Sequence, residues 1–546
     1  MSNPMNVSNV SSPLNNNVIP SSREKLEGGE DLYRIGIDVG GTNTDAALLD
    51  SSLRPVHTVK VHTTRDVNEG IVESIRRLLA ESGVNPARIR YAMLGTTHCT
   101  NAIVERKHLG KVGLIRIGAP ATTSVPPLAD WDDALKAAVG PHAYVVSGGY
   151  EYDGRTIVDM DEAQIAEVAG RMRGEVDAVA VCGVFSPVNG EQEKRAMQIV
   201  KAVLGENMPV TLSHEIGSIG LLERENASLL NAALLNVIAG VVRGFEQALE
   251  SFGIQAGVYI CQNDGTLMRS DYALRYPILT IACGPTNSIR GAAHLSGLSD
   301  ALVVDIGGTT TDIGVLAHGF PRQSSAAVEI GGVRTNFRMP DILSIGIGGG
   351  TIVRQDAAGG VTVGPDSVGY ELLQRGRIFG GDTLTATDVA VKLGRHAWGG
   401  ADTAGLDETM CRQADGIITR DIEDAIDRMK TSSDPVDVVL VGGGSILVAD
   451  RLEGVTRIVR PDHYDAANAI GAALGEVSGE TERIYALDEM TYDEAMLDAK
   501  NHAVRQAVLA GAEPDTVQVV FSEDIPLAYL PGNALLVKVK AAGRLA

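Results

Sequence analysis

The sequence predicts an α/β protein of two or three domains organised around a duplicated turn. Two observations carry this reading. Strands and helices alternate along most of the chain, and one motif occurs twice, as DVGGTNTD from Asp38 to Asp45 and as DIGGTTTD from Asp305 to Asp312. At 546 residues and 44% hydrophobic content the chain is too long for one core and apolar enough to fill several.

Taken in order, Tyr33–Ile37 and Ala46–Leu49 are short apolar runs flanking the first motif, which reads as strand, tight turn, strand. Val56–His62 gives a third strand, and Val67–Leu79 has helical apolar spacing at Val67, Ile71, Ile75 and Leu78. Arg90–Leu94 is a strand, followed by a helix from about Cys99 to Lys107 and a strand at Lys111–Ile117. Asp161–Arg173 is amphipathic, Ala178–Phe185 is a buried strand and Glu191–Leu204 a helix. Leu221–Phe252 holds one or two helices, Gly257–Gln262 a strand and Pro285–Leu295 a helix leading into the second motif, which again lies between apolar runs. Later, Val438–Val441 and Glu453–Val459 read as strands and Ala466–Val477 as a small-residue helix. The segment after Glu480 predicts a helix pair over Ala486–Gly511 and strands at Thr516–Phe521 and Ala534–Val539. Such alternation implies sheets covered by helices.

The duplicated turn points to phosphate. Glycines let a backbone approach a ligand with no Cβ in the way, while threonine hydroxyls and amide N–H groups offer donors to phosphate oxygens. A carboxylate opening each turn suits a hydrated magnesium ion. One Gly-Gly-Thr turn also makes an ordinary hairpin; two near-identical loops, each with Asp at both ends, argue for more. The pair resembles the phosphate loops of the actin, hexokinase and chaperone ATPase superfamily, whose two lobes close on ATP. Val438–Val441 followed by Gly442-Gly443-Gly444-Ser445 is similar to that superfamily's adenosine motif. The resemblance implies two actin/hexokinase-like lobes around a central nucleotide cleft. It divides the chain into a disordered tail (1–30), lobe I (31–297), lobe II (298–479) and a small C-terminal α/β appendage (480–546).

A narrower resemblance rests on further segments. Gly95-Thr96-Thr97-His98-Cys99-Thr100-Asn101-Ala102, continuing to Glu105-Arg106-Lys107, resembles the GTT-x-x-TNA-x-x-ERK signature of the hydantoinase A/5-oxoprolinase family of ATP-dependent cyclic-amide hydrolases. Ser213-His214-Glu215-Ile216, Glu223-Arg224-Glu225-Asn226, Cys283-Gly284-Pro285, the run Ser344–Ile352 and Val363-Gly364-Pro365 follow in that family's order. The chain departs from the pattern in having Cys283 for a usual serine, Thr286 for a usual alanine, and Gln374-Arg375-Gly376-Arg377 where the family has Cys-Tyr-Gly-Arg-Gly. It also looks like a shortened version of members with a larger C-terminal region.

The resemblance implies roles. Asp38 and Asp305 anchor magnesium, mostly through water. Gly40, Gly41, Thr42, Asn43 and Thr44, with Gly307, Gly308, Thr309, Thr310 and Thr311, cradle the phosphates of ATP, and Gly442, Gly443, Gly444 and Ser445 hold its adenosine. Asp45 and Asp312 either orient threonines or polarise a nucleophile, and turn capping is the plainer role for both. Thr96, Thr97 and Asn101 offer donors to a carbonyl substrate or serve as a strand end with helix capping. His98 is an acid, a base, a metal ligand or simply structural. Cys283, before a helix start that would lower its pKa, is a candidate nucleophile. His214 and Glu215 form a further polar group, and Gly346–Gly350 is a hinge, a donor loop or a simple turn.

Composition narrows the partners. A net charge of −22 disfavours nucleic acid and anionic membranes, and no charge-free apolar run is long enough to span a bilayer. The five cysteines, Cys99, Cys182, Cys261, Cys283 and Cys411, show no paired spacing, so reduced thiols in a cytoplasmic protein are expected. The first thirty residues are rich in Ser, Asn and Pro and lack an apolar signal core. Composition does not choose the reaction. The resemblances imply three alternatives: ATP-dependent opening of a hydantoin, 5-oxoproline or related lactam, with a hydantoinase B-type partner subunit in an oligomer; a small-molecule kinase or ATP-dependent carboxylase subunit; or a nucleotide-switched binding protein.

Overall fold

The computed structural model describes residues 32–62, 67–324, 328–337, 339–357, 359–528, 530 and 532–546, so the expected tail at 1–30 lies outside the described residues. Lobe I opens with the hairpin of β1 (Tyr33–Val39) and β2 (Asn43–Leu49), extended by β3 (Pro55–His62). Helix α1 (Val67–Ser82) buries Ile71, Ile75 and Leu78, as their spacing predicts. β4 (Ile89–Thr96) pairs parallel to β1 and runs directly into α2 (His98–Glu105).

An inserted sheet of four parallel strands follows: β5 (Val112–Ala119), β6 (Ala143–Ser147), β7 (Ala178–Gly183) and β8 (Val210–Leu212), in the spatial order β6-β5-β7-β8. Next comes α3 (Leu221–Ser251), a single helix of 31 residues where the sequence left one or two open. By length and composition it passes for a membrane span, yet 61% of its most apolar window is buried inside the protein. Arg116 of β5 and Glu225 of α3 meet across two hydrogen bonds of 2.6 Å with both side chains fully buried, which fastens the inserted sheet to this helix. Removing either partner would strand the other charge in the core.

β9 (Gly257–Cys261) and β10 (Leu267–Arg269) return to the first sheet, and α4 (Cys283–Ser296) leads into lobe II. There β11 (Ala301–Ile306) and β12 (Thr311–Ala317) form the second hairpin, β13 (Ile342–Ile345) pairs with β12, and β14 (Val436–Val441) and β15 (Val455–Val459) continue the sheet beyond β11. Helix α5 (Glu408–Met429) packs Ile418, Ile422 and Ile426 into the core of this lobe. The two-lobed α/β architecture is the expected one.

Helix α6 (Ala467–Leu474) joins the lobes. It lies against β1 and β2 of lobe I and crosses α4 so closely that a Cβ on Gly291 would sit 1.8 Å from the Ala467 carbonyl oxygen. The reverse holds for Gly471, whose Cβ would sit 1.8 Å from the Asn287 carbonyl oxygen. Only glycine at both positions lets the two backbones touch.

The C-terminal segment is α/β, as expected, but it extends an existing layer. β16 (Val477–Ala486), β17 (Gln518–Pro526) and β18 (Ala534–Gly543) complete a nine-stranded sheet ordered β17-β18-β16-β10-β9-β4-β1-β2-β3. The expected boundary between 479 and 480 therefore falls inside β16, which joins lobe I by pairing Val477 with Leu267. The expected helix pair is a single helix, α7 (Tyr492–Leu509), begun by a capping box between Thr491 and Glu494.

Candidate active site

Backbone register brings the four motif aspartates together. In lobe I, Asp38 of β1 stands opposite Asp45 of β2, and Asp45 opposite Lys60 of β3. In lobe II, Asp305 stands opposite Asp312, and Asp312 opposite Ser344 of β13. Directly opposed residues on neighbouring strands project to the same face, so each lobe presents a row of three polar side chains. The third members contact the second: Lys60 donates to Asp45, and the Ser344 hydroxyl donates to Asp312.

The two opening aspartates are held by one helix. Asn287 of α4 donates to Asp38 Oδ1 at 2.9 Å, and the next residue, Ser288, donates to Asp305 Oδ2 at 2.5 Å. Asn468 of α6 donates to both Asp38 Oδ2 (3.1 Å) and Asp45 Oδ2 (3.0 Å). Glycines clear the space for each carboxylate. A Cβ on Gly95 would lie 2.3 Å from Asp38 Oδ1, and one on Gly442, at φ +84°, would lie 2.2 Å from Asp305 Oδ1. Gly442, Gly443, Gly444 and Ser445 thus form the turn that follows β14 immediately beside Asp305.

At the hairpin tips, Gly40 N–H donates to the Asn43 carbonyl and Gly307 N–H to the Thr310 carbonyl, closing equivalent turns. Gly41, Thr309 and Thr310 are exposed, and the Thr42 and Thr309 hydroxyl oxygens stand 3.4 Å apart across the lobes. Thr44 and Thr311 differ from expectation. Both are fully buried: Thr44 faces α1 at Gly70, and the Thr311 hydroxyl donates to the Ile347 carbonyl at 2.6 Å. Strand alternation explains this, because a residue adjacent to an inward-facing aspartate points to the opposite face of the sheet.

Burial and mutual repulsion act on the carboxylates. Burial pushes the Asp38 carboxyl up to about 6, against the pull of the Asn287 amide and with help from the neighbouring Asp45 charge. Asp312 is likewise pushed up to about 6 by burial, opposed by the Ser344 hydroxyl. Asp305 is raised by burial, while Ser288 and the Lys60 charge lower it. A divalent cation would relieve this strain, and a set of hard carboxylate oxygens fits magnesium. Among the described residues no group of three or more His, Cys, Asp or Glu is arranged to cage a metal directly. Two carboxylates supply only part of an octahedral shell, so the ion that Asp38 and Asp305 fit is one that keeps much of its water.

The Gly-Thr-Thr segment borders this site through register, with Gly95 beside Asp38 and Thr96 beside Val39. Thr96 is buried and its hydroxyl bonds His98 Nδ1 at 2.5 Å. Thr97 Oγ1 donates to the Val39 carbonyl (3.3 Å) and receives the Asn101 amide (3.4 Å), so it braces the end of β1 and makes no side-chain cap for α2. Burial lowers the His98 pKa, favouring a neutral ring.

Three further expectations change. Cys283 is not an activated nucleophile: burial pushes its thiol up to about 12, and its sulfur packs on the Thr96 backbone at 3.4 Å. All five cysteines are buried and unpaired. His214 and Glu215 take other partners, His214 a buried Glu193 (2.6 Å) and Glu215 the Arg275 guanidinium (2.7 Å) and Tyr276 hydroxyl (2.9 Å). The Gly346–Gly350 run backs the second hairpin. Gly349 and Gly350 donate to the Gly307 and Gly308 carbonyls, Gly348 donates to Thr351 Oγ1, and a Cβ on Gly348 would lie 2.6 Å from Thr309 N. Its donors are consumed by the fold.

Sequence reasoning missed Lys60, Asn287, Ser288 and Asn468. Asn287 and Ser288 directly follow the quoted Cys283–Thr286 segment, and Lys60 sits in an expected strand at a countable offset from Asp45.

Residues 34–204 match the hydantoinase/oxoprolinase N-terminal region and residues 224–397 match the hydantoinase/oxoprolinase model. The caprolactamase subunit alpha of Pseudomonas jessenii is 28% identical over 386 residues, covering 67% of this chain and 55% of that protein. The acetophenone carboxylase gamma subunit of Aromatoleum aromaticum is 26% identical over 404 residues, covering 66% and 53%. The chain thus spans about half the length of these curated relatives. The crystal structure of ATP-dependent caprolactamase from Pseudomonas jessenii superimposes with a TM-score of 0.76 at 22% identity over 94% of this chain and 88% of that one.

Proposed function

The chain belongs to the hydantoinase/oxoprolinase family, and from that premise we propose that it spends ATP to open a cyclic amide such as a hydantoin, 5-oxoproline or related lactam, alone or as the ATP-using subunit of a complex. The observation that carries this reading is the convergence of Asp38 and Asp305, one from each hairpin, on adjacent residues of α4. A phosphate chain entering between the hairpin tips would meet Thr42, Thr309 and Thr310 together with both aspartates.

A lactam resists water because its nitrogen lone pair is delocalised into the carbonyl. Transfer of the terminal phosphoryl group to the amide oxygen gives an imidate phosphate, whose carbon accepts water. Collapse of that adduct breaks the ring C–N bond, the nitrogen leaving with a proton, and gives an acyl phosphate, which a second water hydrolyses to the ring-opened acid and inorganic phosphate beside ADP. The protein's task is alignment and charge stabilisation. Asp38 and Asp305 would hold a magnesium ion, which would supply positive charge to the phosphate oxygens. Asp312, with its carboxyl near 6, takes up a proton from the attacking water near neutral pH. Asn101, exposed on the first turn of α2 and held by its bond to Thr97, would offer its amide to the carbonyl substrate.

A second reading has its own support. Similarity to a carboxylase subunit is about as strong as to a lactamase subunit, and a phosphorylated enolate would use the same nucleotide site. Both relatives are named as subunits, which supports a hydantoinase B-type partner here within an oligomer.

The test is ADP release by the purified chain with magnesium and ATP, screened against hydantoins, 5-oxoproline, larger lactams and simple ketones, with mass spectrometry of products. Ring-opened product with stimulated ADP release is the expected result. Stimulation by ketones alone would replace the lactam reading with the carboxylase one.

A further inference from the structure

We propose that Lys60 is the cation that grips the terminal phosphate of the nucleotide, an inference that rests on the ATP-using reading of the cleft. Lys60 lies on β3 opposite Asp45, which itself lies opposite Asp38, so the three form one row across β1, β2 and β3. Its ammonium contacts Asp45, and its side chain keeps 34% of its surface exposed. It is thus reachable from solvent, whereas Asp45 is nearly buried.

Its charge reaches beyond its own lobe. Among the groups acting on Asp38, Asp305 and Asp312, Lys60 is the cation among the described residues that bears on them, and it acts on Asp305, which belongs to the other hairpin. Lys60 thus ends the polar row of the hairpin whose tip meets the opposite one at Thr42 and Thr309, the gap a phosphate chain between the hairpins would cross.

The duplication isolates Lys60 as a deliberate difference. Lobe II repeats the row strand for strand, as Asp305, Asp312 and Ser344, with a neutral hydroxyl in the third position. The aspartates serve both lobes alike, while the cation occurs in one. A phosphoryl group is transferred from one end of the nucleotide, so a single cation on one side is what the asymmetry of that ligand requires. Support for Lys60 comes from both sides of β3. The Arg77 guanidinium donates to the Lys60 carbonyl at 3.1 Å, and Asn468 fixes Asp45 from α6. When the ammonium turns to phosphate, Asp45 keeps its amide partner and is not left bare.

Calorimetry on the full chain tests this with magnesium and three probes: AMP-PNP, ADP and AMP. Lys60→Met is expected to weaken AMP-PNP binding on the order of ten- to a hundred-fold, as loss of a charge-assisted contact does, with a smaller loss for ADP and none for AMP. Lys60→Arg should recover part of the loss. Because Lys60→Met strips Asp45 of its cation, the charge-balanced double variant Lys60→Met with Asp45→Asn is measured beside it, and both are checked by thermal melting. Equal affinity of the folded double variant and wild type for AMP-PNP would overturn the assignment, as would equal losses for all three probes. Wild-type protein that binds no AMP-PNP would instead bring down the ATP-using reading and this inference with it.

Discussion

The polar rows of the two lobes are built on the same register and differ in how they handle charge. In lobe I, Asp38 is met by two amides and Asp45 by an amide and an ammonium. In lobe II, Asp305 and Asp312 each receive one hydroxyl. An amide or hydroxyl donor stabilises a carboxylate without cancelling its charge, whereas an ammonium does both. Each row keeps one carboxyl pushed up to about 6 by burial, Asp38 in the first and Asp312 in the second, and the rows differ in that only the first includes an ammonium. The duplicated rows keep the aspartates and differ in the third group, an ammonium at Lys60 in one lobe and a hydroxyl at Ser344 in the other.

If both opening aspartates act on one magnesium ion, they fail together. Asp305→Ala is expected to reduce magnesium-dependent ATP turnover by about a thousand-fold, the scale on which loss of a preorganised electrostatic group acts, with unchanged circular dichroism. Asp38→Ala should match it, and the double variant should be little worse than either. A folded Asp305→Ala protein with wild-type turnover would break the symmetry on which the comparison stands.

The α4–α6 crossing that carries Asn287, Ser288 and Asn468 gives the next effect. Gly471→Val would drive a side chain into the Asn287 carbonyl, 1.8 Å from where its Cβ must go. Overpacking of this kind costs about 3 kcal/mol or more, read as a lowered denaturant midpoint, and turnover should fall with it. Gly240, on the open side of α3 with nothing near its Cβ position, is the control: Gly240→Ala should leave stability unchanged or slightly raised.

Asp312→Asn should separate the rows by pH. The folded Asp312 carboxyl is raised from an ordinary 3.8 to about 6, so the folded state binds its proton more tightly than the unfolded chain. Its stabilising protonation is complete below pH 4 and is lost as pH rises through 6. The asparagine variant escapes that loss. It should equal wild type in stability near pH 4 and exceed it above pH 7 by about 3 kcal/mol, the linkage value of two pKa units. Chemical denaturation across that range checks the sign, and a constant difference at all pH values would contradict it.

Much of this was legible in the sequence because it is local. Each hairpin announces itself in eight residues, and the adenosine-type turn in four glycine-rich ones. The site's supporting residues were hidden by distance: Asn287 meets Asp38 across 249 positions and Asn468 across 430. No local pattern distinguishes these asparagines from helix-surface ones. The C-terminal strands were hidden in the same way, since the strand pairing that joins them to lobe I, Leu267 with Val477, links distant positions. The burial of Thr44 and Thr311 was legible and passed over. Period-two alternation beside an inward aspartate assigns both to the far face, and the Thr-x-x-Glu capping signal at Thr491 likewise marked one helix instead of two.

The smallest expected effect sharpens the comparison most, because it converts one row toward the other. Ser344→Ala removes the hydroxyl that lowers the Asp312 carboxyl. Ser344 is exposed, so water replaces much of the lost bond, and the acidic limb of kcat/KM should move up by about half a pH unit. Ser344→Lys installs in lobe II the ammonium that lobe I has at Lys60. It should draw the same limb below its wild-type position, since an adjacent positive charge favours the ionised carboxyl. Opposite displacements from the two substitutions would identify Asp312 as the titrating group and Ser344 as the neighbour that sets it. An acidic limb that stays fixed in both variants would assign the proton transfer to another residue and leave the second row with a purely phosphate-binding role.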